Sequence, residues 1–270
     1  MGRARARRAE AADRRRARPR DPWDPPRNRY GSGRGAPVLI LALDASTPVT
    51  TVALARAEAG ADAETDDREV LVEISVSAGG PSGGASEALL TAVHAALGFA
   101  GEDLSSVGRV LCGVGPGTFT GIRIAAATAR ALSFGTGAAL AGNSTLDALA
   151  APALSCSGDV LAVIDAKRGE IFVRRFSADG PTTGIGCVRP EELSVEGSPL
   201  IVGDGAVRYR GALEGLGSIP PDGSPLHRVS AIGHVISADL TPVAAPDLVP
   251  IYVREPDAEV RRDLNPWGRS

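Results

Sequence analysis

The strings LILALDA at Leu39–Ala45 and VLAVIDA at Val160–Ala166 align without a gap. Each places five apolar residues before Asp-Ala, and each is followed by turn residues and a second strand-like run. A short apolar run that ends in turn residues predicts a buried strand opening a β-hairpin. Because this unit occurs twice, the sequence predicts a duplicated domain.

The residues after the first copy extend this pattern. They predict a third strand at about Val70–Val76, a helix at Ser86–Leu97 with Ser86 as its N-cap, a strand at Arg109–Val114, a helix from about Thr120 to Phe134, a strand near Ala139 and a further helix starting in NSTLDALAAPAL. A hairpin, a third strand and then helices, twice over, resemble the actin-like ATPase (ASKHA) superfamily, whose halves are ribonuclease-H-like. The predicted fold is therefore α/β, with lobes at 37–146 and 147–256 and a tail at 257–270. Whether the last residues return to the first lobe stays open.

Composition narrows the class of protein. The chain has 270 residues, of which 43% are hydrophobic, enough for one or two domains. The chain contains no run of about 18 apolar residues, so the sequence predicts no membrane span. Cys112, Cys156 and Cys187 lack metal-ligand spacing and indicate reduced, cytoplasmic thiols. The three histidines do not pair at i, i+4, so we expect no metal site.

The charge is divided unevenly along the chain. Residues 1–36 hold 12 arginines against four acidic residues, a net charge of +8, whereas the other 234 residues carry −11 of a total of −3. This extension has no apolar periodicity, and we expect it to be disordered. It is either a basic arm that touches RNA phosphates or the product of an over-extended gene start. We favour the over-extended gene start, because Val38 opens the first strand and GTG, a valine codon, is a common start codon.

Asp44 and Asp165 end the two repeated strands. In actin-like folds an aspartate at this position often binds a metal–phosphate group. The alternative is turn chemistry, since an aspartate side chain accepts from the backbone amide two residues on. We favour the turn for Asp165, and for Asp44 both interpretations stay open.

A glycine-rich loop with Gly113, Gly115, Gly117 and Gly121 leads into the helix near Thr120. Such a loop before a helix N-terminus can bind phosphate, but the stretch contains neither GK[ST] nor GxGxxG. The alternative interpretation is that the glycines only allow a tight strand-to-helix connection. The candidate nucleotide contacts are Asp44, Gly115, Gly117, Thr118 and Gly121.

The helix that follows is apolar or small on two opposite sides when it is plotted at 100° per residue. One side carries Ile122, Ala125, Ala126, Ala129, Leu132 and Ser133, and the other carries Ile124, Ala127, Thr128, Ala131 and Gly135. One side must cover the sheet of its own lobe, and we expect the other to meet a partner protein. The alternative is that the second lobe covers it.

The helix at Ser86–Leu97 has the same character, with Glu87 as its only acidic residue. The interface expected from the two helices comprises Leu89, Leu90, Val93, His94, Leu97, Ile122, Arg123, Ala126, Ala127 and Arg130. The sequence does not settle which face meets the partner.

Five stretches together resemble the TsaB (YeaZ) family over about residues 38–258. They are LALDAST (Leu41–Thr47), GVGPGTFTGIRIAAATARALSF (Gly113–Phe134), STLDALA (Ser144–Ala150), IDAKRGEIF (Ile164–Phe172) and LVPIYVREPDA (Leu248–Ala258). The resemblance implies a non-catalytic subunit that dimerises, through helices of its N-terminal lobe, with TsaD. TsaD is the enzyme that adds threonylcarbamoyl to adenosine 37 of certain tRNAs (t6A).

The same resemblance implies further partners. A TsaE-like ATPase joins the pair, ATP and a metal are bound by the partners or at the complex interface, and this chain needs no cofactor of its own. The acidic body suggests that tRNA is reached only through the complex, and a homodimer remains an alternative.

The residues also separate this chain from the catalytic relatives. TsaD-like proteins use an HxxxH pair on the helix after the third strand to hold a metal, whereas SGGASEALLTAVHAAL (82–97) has only His94, and Ala85 stands where TsaB-like sequences commonly keep a histidine. We therefore predict no catalytic residues and no metal ligands. An active ATPase or kinase using Asp44 and the Gly115–Gly121 loop is the alternative, and a metallopeptidase is disfavoured by the missing pair.

Overall fold

The computed structural model describes residues 37–57, 68–77 and 84–254. The predicted extension at 1–36 and tail at 257–270 lie outside the described residues.

The first five strands form one sheet in the order β3–β2–β1–β4–β5. They are β1 (Val38–Asp44), β2 (Val49–Ala57), β3 (Glu69–Ser77), β4 (Val107–Gly113) and β5 (Ala139–Asn143). β2 pairs antiparallel with both β1 and β3, and β4 and β5 run parallel to β1. This is the order of a ribonuclease-H-like sheet, as predicted.

The central strand β1 is apolar without interruption because both faces of the sheet are covered. Side chains alternate between the two faces of a strand. Leu39, Leu41 and Leu43 belong to the core on one side, and Ile40 and Ala42 to the core on the other. A strand buried on both faces reads as a continuous hydrophobic run.

Two long helices cover the outer face of this sheet, where outer means the side of Leu41 and Leu43. They are α1 (Ala85–Ala100) and α2 (Phe119–Thr136). Each connects two parallel strands, so each runs antiparallel to those strands and the two helices lie side by side in the same direction. Gly101 and Gly137 end them in the left-handed conformation. Ser86 is not the N-cap: α1 begins at Ala85 after Gly84, without a capping side chain.

The second sheet repeats the order of the first, except that two short strands share the third position and the fifth strand is reduced. It comprises β6 (Asp159–Lys167), β7 (Glu170–Ser177), β8 (Gly180–Pro181), β9 (Gly186–Val188) and β10 (Leu200–Val202). As in the first sheet, the leading strand β6 pairs antiparallel with the next strand and parallel with the fourth position, β10. Within the described residues, the fifth position is reduced to a single parallel bridge between Leu200 and Ser218. The predicted duplication is confirmed.

Four shorter helices complete the layers: α3 (Thr145–Leu154), α4 (Asp204–Arg208), α5 (Arg210–Leu213) and α6 (Ala231–Ser237). The helices α3 and α6 pack against each other between the two sheets. α3 contributes to the core of the second sheet and α6 to that of the first. The resulting order, helices–sheet–helices–sheet–helices, is the two-lobed actin-like architecture.

The last described residues return to the first sheet. Val243 bridges to Leu140 in β5, Leu248 enters the core beneath α2, and the amide of Ile251 donates to the carbonyl of Val114. Arg254 then pairs with Glu170 at the start of β7. We call residues 243–254 the C-terminal strap, because this segment touches both sheets.

Candidate functional site

Asp44, at the end of β1, is fully buried among hydrogen-bond donors. Its Oδ1 accepts from the backbone amide and the hydroxyl of Ser46, both at 2.6 Å. Its Oδ2 accepts from Thr145 Oγ1 at 3.1 Å and lies 2.8 Å from His234 Nε2. His234 Nε2 therefore donates to the carboxylate, and its Nδ1 lies 3.2 Å from the side-chain nitrogen of Asn143.

The electrostatics agree with an ionised carboxylate. Burial alone would raise the pKa of Asp44, but the hydrogen bond and charge of His234 and the bonds from Ser46 outweigh it, so the pKa lies below its ordinary value. The backbone of Gly113 packs directly against the same group, since a Cβ there would lie 1.9 Å from Oδ2. Asp44 is thus sealed by its own chain. The structure leaves Asp44 without exposed surface, which does not support its assignment as a nucleotide contact.

Asp165 occupies the equivalent place in the second lobe and is satisfied in a similar way. Its Oδ1 accepts from the backbone amide of Lys167 at 2.8 Å, and its Oδ2 accepts from Lys167 Nζ at 2.7 Å. The predicted aspartate turn is confirmed. Burial tends to raise the pKa of Asp165, yet its contacts with Lys167 lower it overall.

The glycine loop packs against the β1–β2 turn. The Thr118 amide donates to the carbonyl of Ser46 at 2.6 Å. A Cβ at Gly117 would lie 2.3 Å from that carbonyl oxygen, and one at Gly121 would lie 1.8 Å from the carbonyl of Ala45. Gly115 is buried, and its carbonyl accepts from the Thr145 amide at 2.8 Å. The glycines are therefore required for close backbone packing, which is the tight-connection alternative.

A cleft of about 480 Å³ lies between the β1–β2 turn and the second lobe. Thr47 and Val49 line one side, and Asp204, Arg208 and Arg228 are among the residues of the other. Burial, with the nearby Asp165, raises the pKa of Asp204. The residues that line this cleft include none of the five predicted nucleotide contacts.

The outer face of α1 and α2, which points away from the sheet, is rich in exposed apolar and small side chains. On α1, Leu90 is 52% exposed and Phe99 80% exposed, and His94, one turn after Leu90, is exposed as well. On α2 the exposed side chains include Phe119, Thr120, Arg123, Ala127, Ala131 and Phe134. We call this combined surface the α1–α2 face.

The predicted interface residues divide into two groups. Leu89, Val93, Leu97 and Ala126 belong to the core beneath the helices, and Ile122 is buried as well. Because each points toward its own sheet, their assignment to a partner surface is corrected. Leu90, His94, Arg123 and Ala127 point outward. The helix is thus two-sided as predicted, and the outward side is not covered by the second lobe.

Arg130 has an internal role. Its Nε donates to the carbonyl of Ala245 and its Nη2 to that of Leu248, both at 2.8 Å. It anchors the C-terminal strap to α2 while remaining half-buried at the helix surface, and its place in the interface stays a prediction.

Sequence reasoning missed an aromatic cluster at the start of α2. The Arg123 guanidinium lies 3.5 Å from the centroid of the Phe119 ring, one turn earlier. Its Nε donates to the Tyr252 hydroxyl at 3.0 Å, and the two aromatic rings are 5.4 Å apart. The spacing of Phe119 and Arg123 on one helix face was visible in the sequence, whereas the approach of Tyr252 was not.

Within the described residues, no group of three or more histidine, cysteine, aspartate or glutamate side chains is placed to hold a metal ion. No helix of the same residues has both the length and the hydrophobicity to cross a membrane.

The architecture matches solved structures. YeaZ from Pseudomonas aeruginosa superposes with a TM-score of 0.63 at 24% identity, covering 80% of this chain and 99% of that one. A second structure, of an uncharacterized protein from P. aeruginosa with similarity to peptidase YeaZ, gives 0.64 at 24% identity and covers 80% of this chain and all of that one. At this identity the match establishes the fold.

Sequence relatives decide the family. Escherichia coli TsaB, a tRNA threonylcarbamoyladenosine biosynthesis protein, is 36% identical over 93 residues, covering 34% of this chain and 40% of that protein. The uncharacterized protein Rv3421c of Mycobacterium tuberculosis is 32% identical over 220 residues, covering 82% of this chain and 93% of the relative. The chain belongs to this TsaB (YeaZ)-like family. The family model described as TsaD, tRNA N6-adenosine threonylcarbamoyltransferase, also matches residues 83–197 of the TsaB-like chain.

Proposed function

We propose that this chain is the non-catalytic partner subunit of the machinery that places threonylcarbamoyl on adenosine 37 of tRNA. In this proposal it binds a TsaD-like catalytic subunit through the α1–α2 face. Its membership of the TsaB-like family supports the process, and the α1–α2 face supports the mode of action.

The observation that carries the proposal is the exposure of that face. A surface helix usually turns a polar side to water, yet α2 exposes Ala127, Ala131 and the ring of Phe119, and α1 exposes Leu90. Exposed apolar residues gathered on two neighbouring helices are typical of a protein interaction site. Small residues let partner helices approach closely, near the short end of the usual 8–10 Å axial distance.

Two buried carboxylates support a non-catalytic role. In an actin-like ATPase we would expect the aspartate that ends the first strand to face the metal and the phosphates. Here Asp44 is paired with His234, and Asp165 with Lys167. We propose that ATP and a metal are bound by the partners or at the complex interface, and that a TsaE-like ATPase joins the pair.

The remaining partners follow from charge. Outside residues 1–36 the chain carries a net charge of −11, which disfavours direct phosphate contacts. We therefore propose that tRNA is contacted through the complex, in the cytoplasm. The alternative is a homodimer through the same face, which the experiment must distinguish from a complex with the TsaD-like subunit.

The test is depletion of the native protein in its host, with t6A measured in total tRNA by mass spectrometry. We expect t6A to fall and to be restored by the full chain, which should co-purify with the TsaD-like subunit. Unchanged t6A, or co-purification without any TsaD-like protein, would refute the proposal. Substantial ATP turnover by the pure chain, abolished in Asp44→Ala, would support the ATPase alternative.

A further inference from the structure

Arg123 stands out on the α1–α2 face because it is a cation held in place among apolar groups. Phe119 covers one side of its guanidinium at 3.5 Å, and the Tyr252 hydroxyl accepts from its Nε. A stacked and hydrogen-bonded arginine has already lost much of its side-chain freedom, so less entropy is lost when it binds.

The terminal nitrogens of Arg123 are the part left for a partner. Within the described residues, this side chain contacts the Tyr252 hydroxyl through Nε and packs against the rings of Phe119 and Tyr252. An arginine fork matches a carboxylate with two parallel hydrogen bonds. When a partner removes water from the surface, an unmatched guanidinium would be costly.

Among the described residues, two other arginines on α2 and the C-terminal strap make their contacts within the chain. Arg130, two turns further along α2, donates to the C-terminal strap, and Arg254, two residues after Tyr252, pairs with Glu170. Nucleic acids are bound by several cations that follow a phosphate backbone. One preorganised cation in an apolar setting fits a protein carboxylate instead.

We infer that Arg123 selects the partner of the α1–α2 face, and that this partner places an aspartate or glutamate carboxylate against its guanidinium. The inference rests on the proposed function, because the partner is the TsaD-like subunit. Phe119 and Tyr252 act as positioning residues that aim the fork.

The experiment measures the dissociation constant of the purified full chain and its TsaD-like subunit by biolayer interferometry. Arg123→Gln should weaken binding at least tenfold, since the partner carboxylate is then left unpaired, and Arg123→Glu should weaken it further. Arg189→Glu, an exposed position in the second lobe, is the charge-matched control and should change the constant less than twofold. Circular dichroism should show the same fold in all variants.

The decisive step is charge reversal. Each acidic residue on the partner's contacting helices is changed in turn to arginine and tested against Arg123→Glu. Recovery of at least tenfold in one pair supports the inference. Wild-type affinity in Arg123→Gln, or no recovery in any pair, overturns it. Absence of binding by the wild-type chain refutes the proposed function instead, and a wild-type homodimer that Arg123→Glu dissociates identifies a second copy as the occupant.

Discussion

Two neighbouring alanines on α2 give the sharpest test of the interface. Ala126 is 2% exposed and belongs to the core beneath the helix, whereas Ala127 is exposed on the outer face. Successive residues of a helix point 100° apart, so a glutamate at each position samples opposite environments. The two substitutions are otherwise the same chemical change.

Ala126→Glu should destabilise the fold severely. Its carboxylate would enter an apolar core without a partner, at a cost of several kcal/mol, which is a large part of the roughly 5–15 kcal/mol that stabilises a domain. Ala127→Glu should alter the free energy of unfolding by no more than about 0.5 kcal/mol. The lower helix propensity of glutamate is offset by pairing with Arg123 four residues earlier, worth about 0.2–0.5 kcal/mol.

For partner binding we expect Ala127→Glu, the variant that leaves the fold stable, to have a large effect. A carboxylate at Ala127 would be desolvated between the helices of the two subunits, at about 2–5 kcal/mol. At 1.4 kcal/mol per factor of ten, this weakens binding roughly 30-fold to several-thousand-fold. Urea unfolding measures the free energy of unfolding, and biolayer interferometry measures the dissociation constant of the complex. A glutamate at position 127 can also pair with Arg123 and withdraw it from the partner. Ala127→Lys cannot do so, and it therefore tests steric crowding alone. Ala178→Glu, at an exposed position in the second lobe, controls for added negative charge. Wild-type affinity in a folded Ala127→Glu, or unfolding of both glutamate variants, would refute the interface.

Three further substitutions test the fold. The pKa of Asp44 is lowered in the folded chain, so its ionised form stabilises the fold above the unfolded pKa of about 3.9, and this contribution is lost as pH falls through the folded pKa. Asp44→Ala should therefore cost about 3–5 kcal/mol at pH 7 and flatten the acid dependence of urea unfolding; an unchanged pH profile would contradict this. Gly121→Ala should destabilise by at least about 1–3 kcal/mol because its Cβ meets a carbonyl, while Gly98→Ala, with open space around it, should be neutral or stabilising by up to about 1 kcal/mol; similar melting temperatures would argue against the close approach. Arg130→Ala removes two hydrogen bonds from a cation, each worth about 1.5–3 kcal/mol, and should speed amide hydrogen exchange across residues 243–251, where unchanged protection would show that the strap does not depend on it.

The sequence predicted the first lobe well because its signals are local. Each strand shows an apolar run bounded by turn residues, and β1 and β6 match position for position. The second lobe departs where its fifth strand should lie. Ser218 makes one bridge, and the chain then meets Pro220 and Pro221, which cannot donate to a sheet. A strand of one residue leaves no pattern to find.

The candidate site was only half predictable. Helical periodicity showed that α2 has two apolar sides, but which side faces the sheet depends on contacts distant in sequence. His234 reaches Asp44 across 190 residues, and Tyr252 reaches Arg123 across 129. No local pattern encodes such pairs, so both the sealing of the carboxylate and the positioning of the arginine required the folded chain.

The loop GVGPGTFTG shows how a phosphate-like sequence can serve a different purpose. Its glycines let the loop backbone pack against Ser46 and receive the amide of Thr145, while the Val114 carbonyl receives the C-terminal strap. Three distant segments therefore converge on the loop and pack closely against it. The helix that starts there projects Phe119 and Arg123 outward, and the same strap brings Tyr252 onto them. Because Arg254 of that strap also pairs with Glu170 of the second sheet, the geometry of the interface cation depends on both lobes being correctly placed.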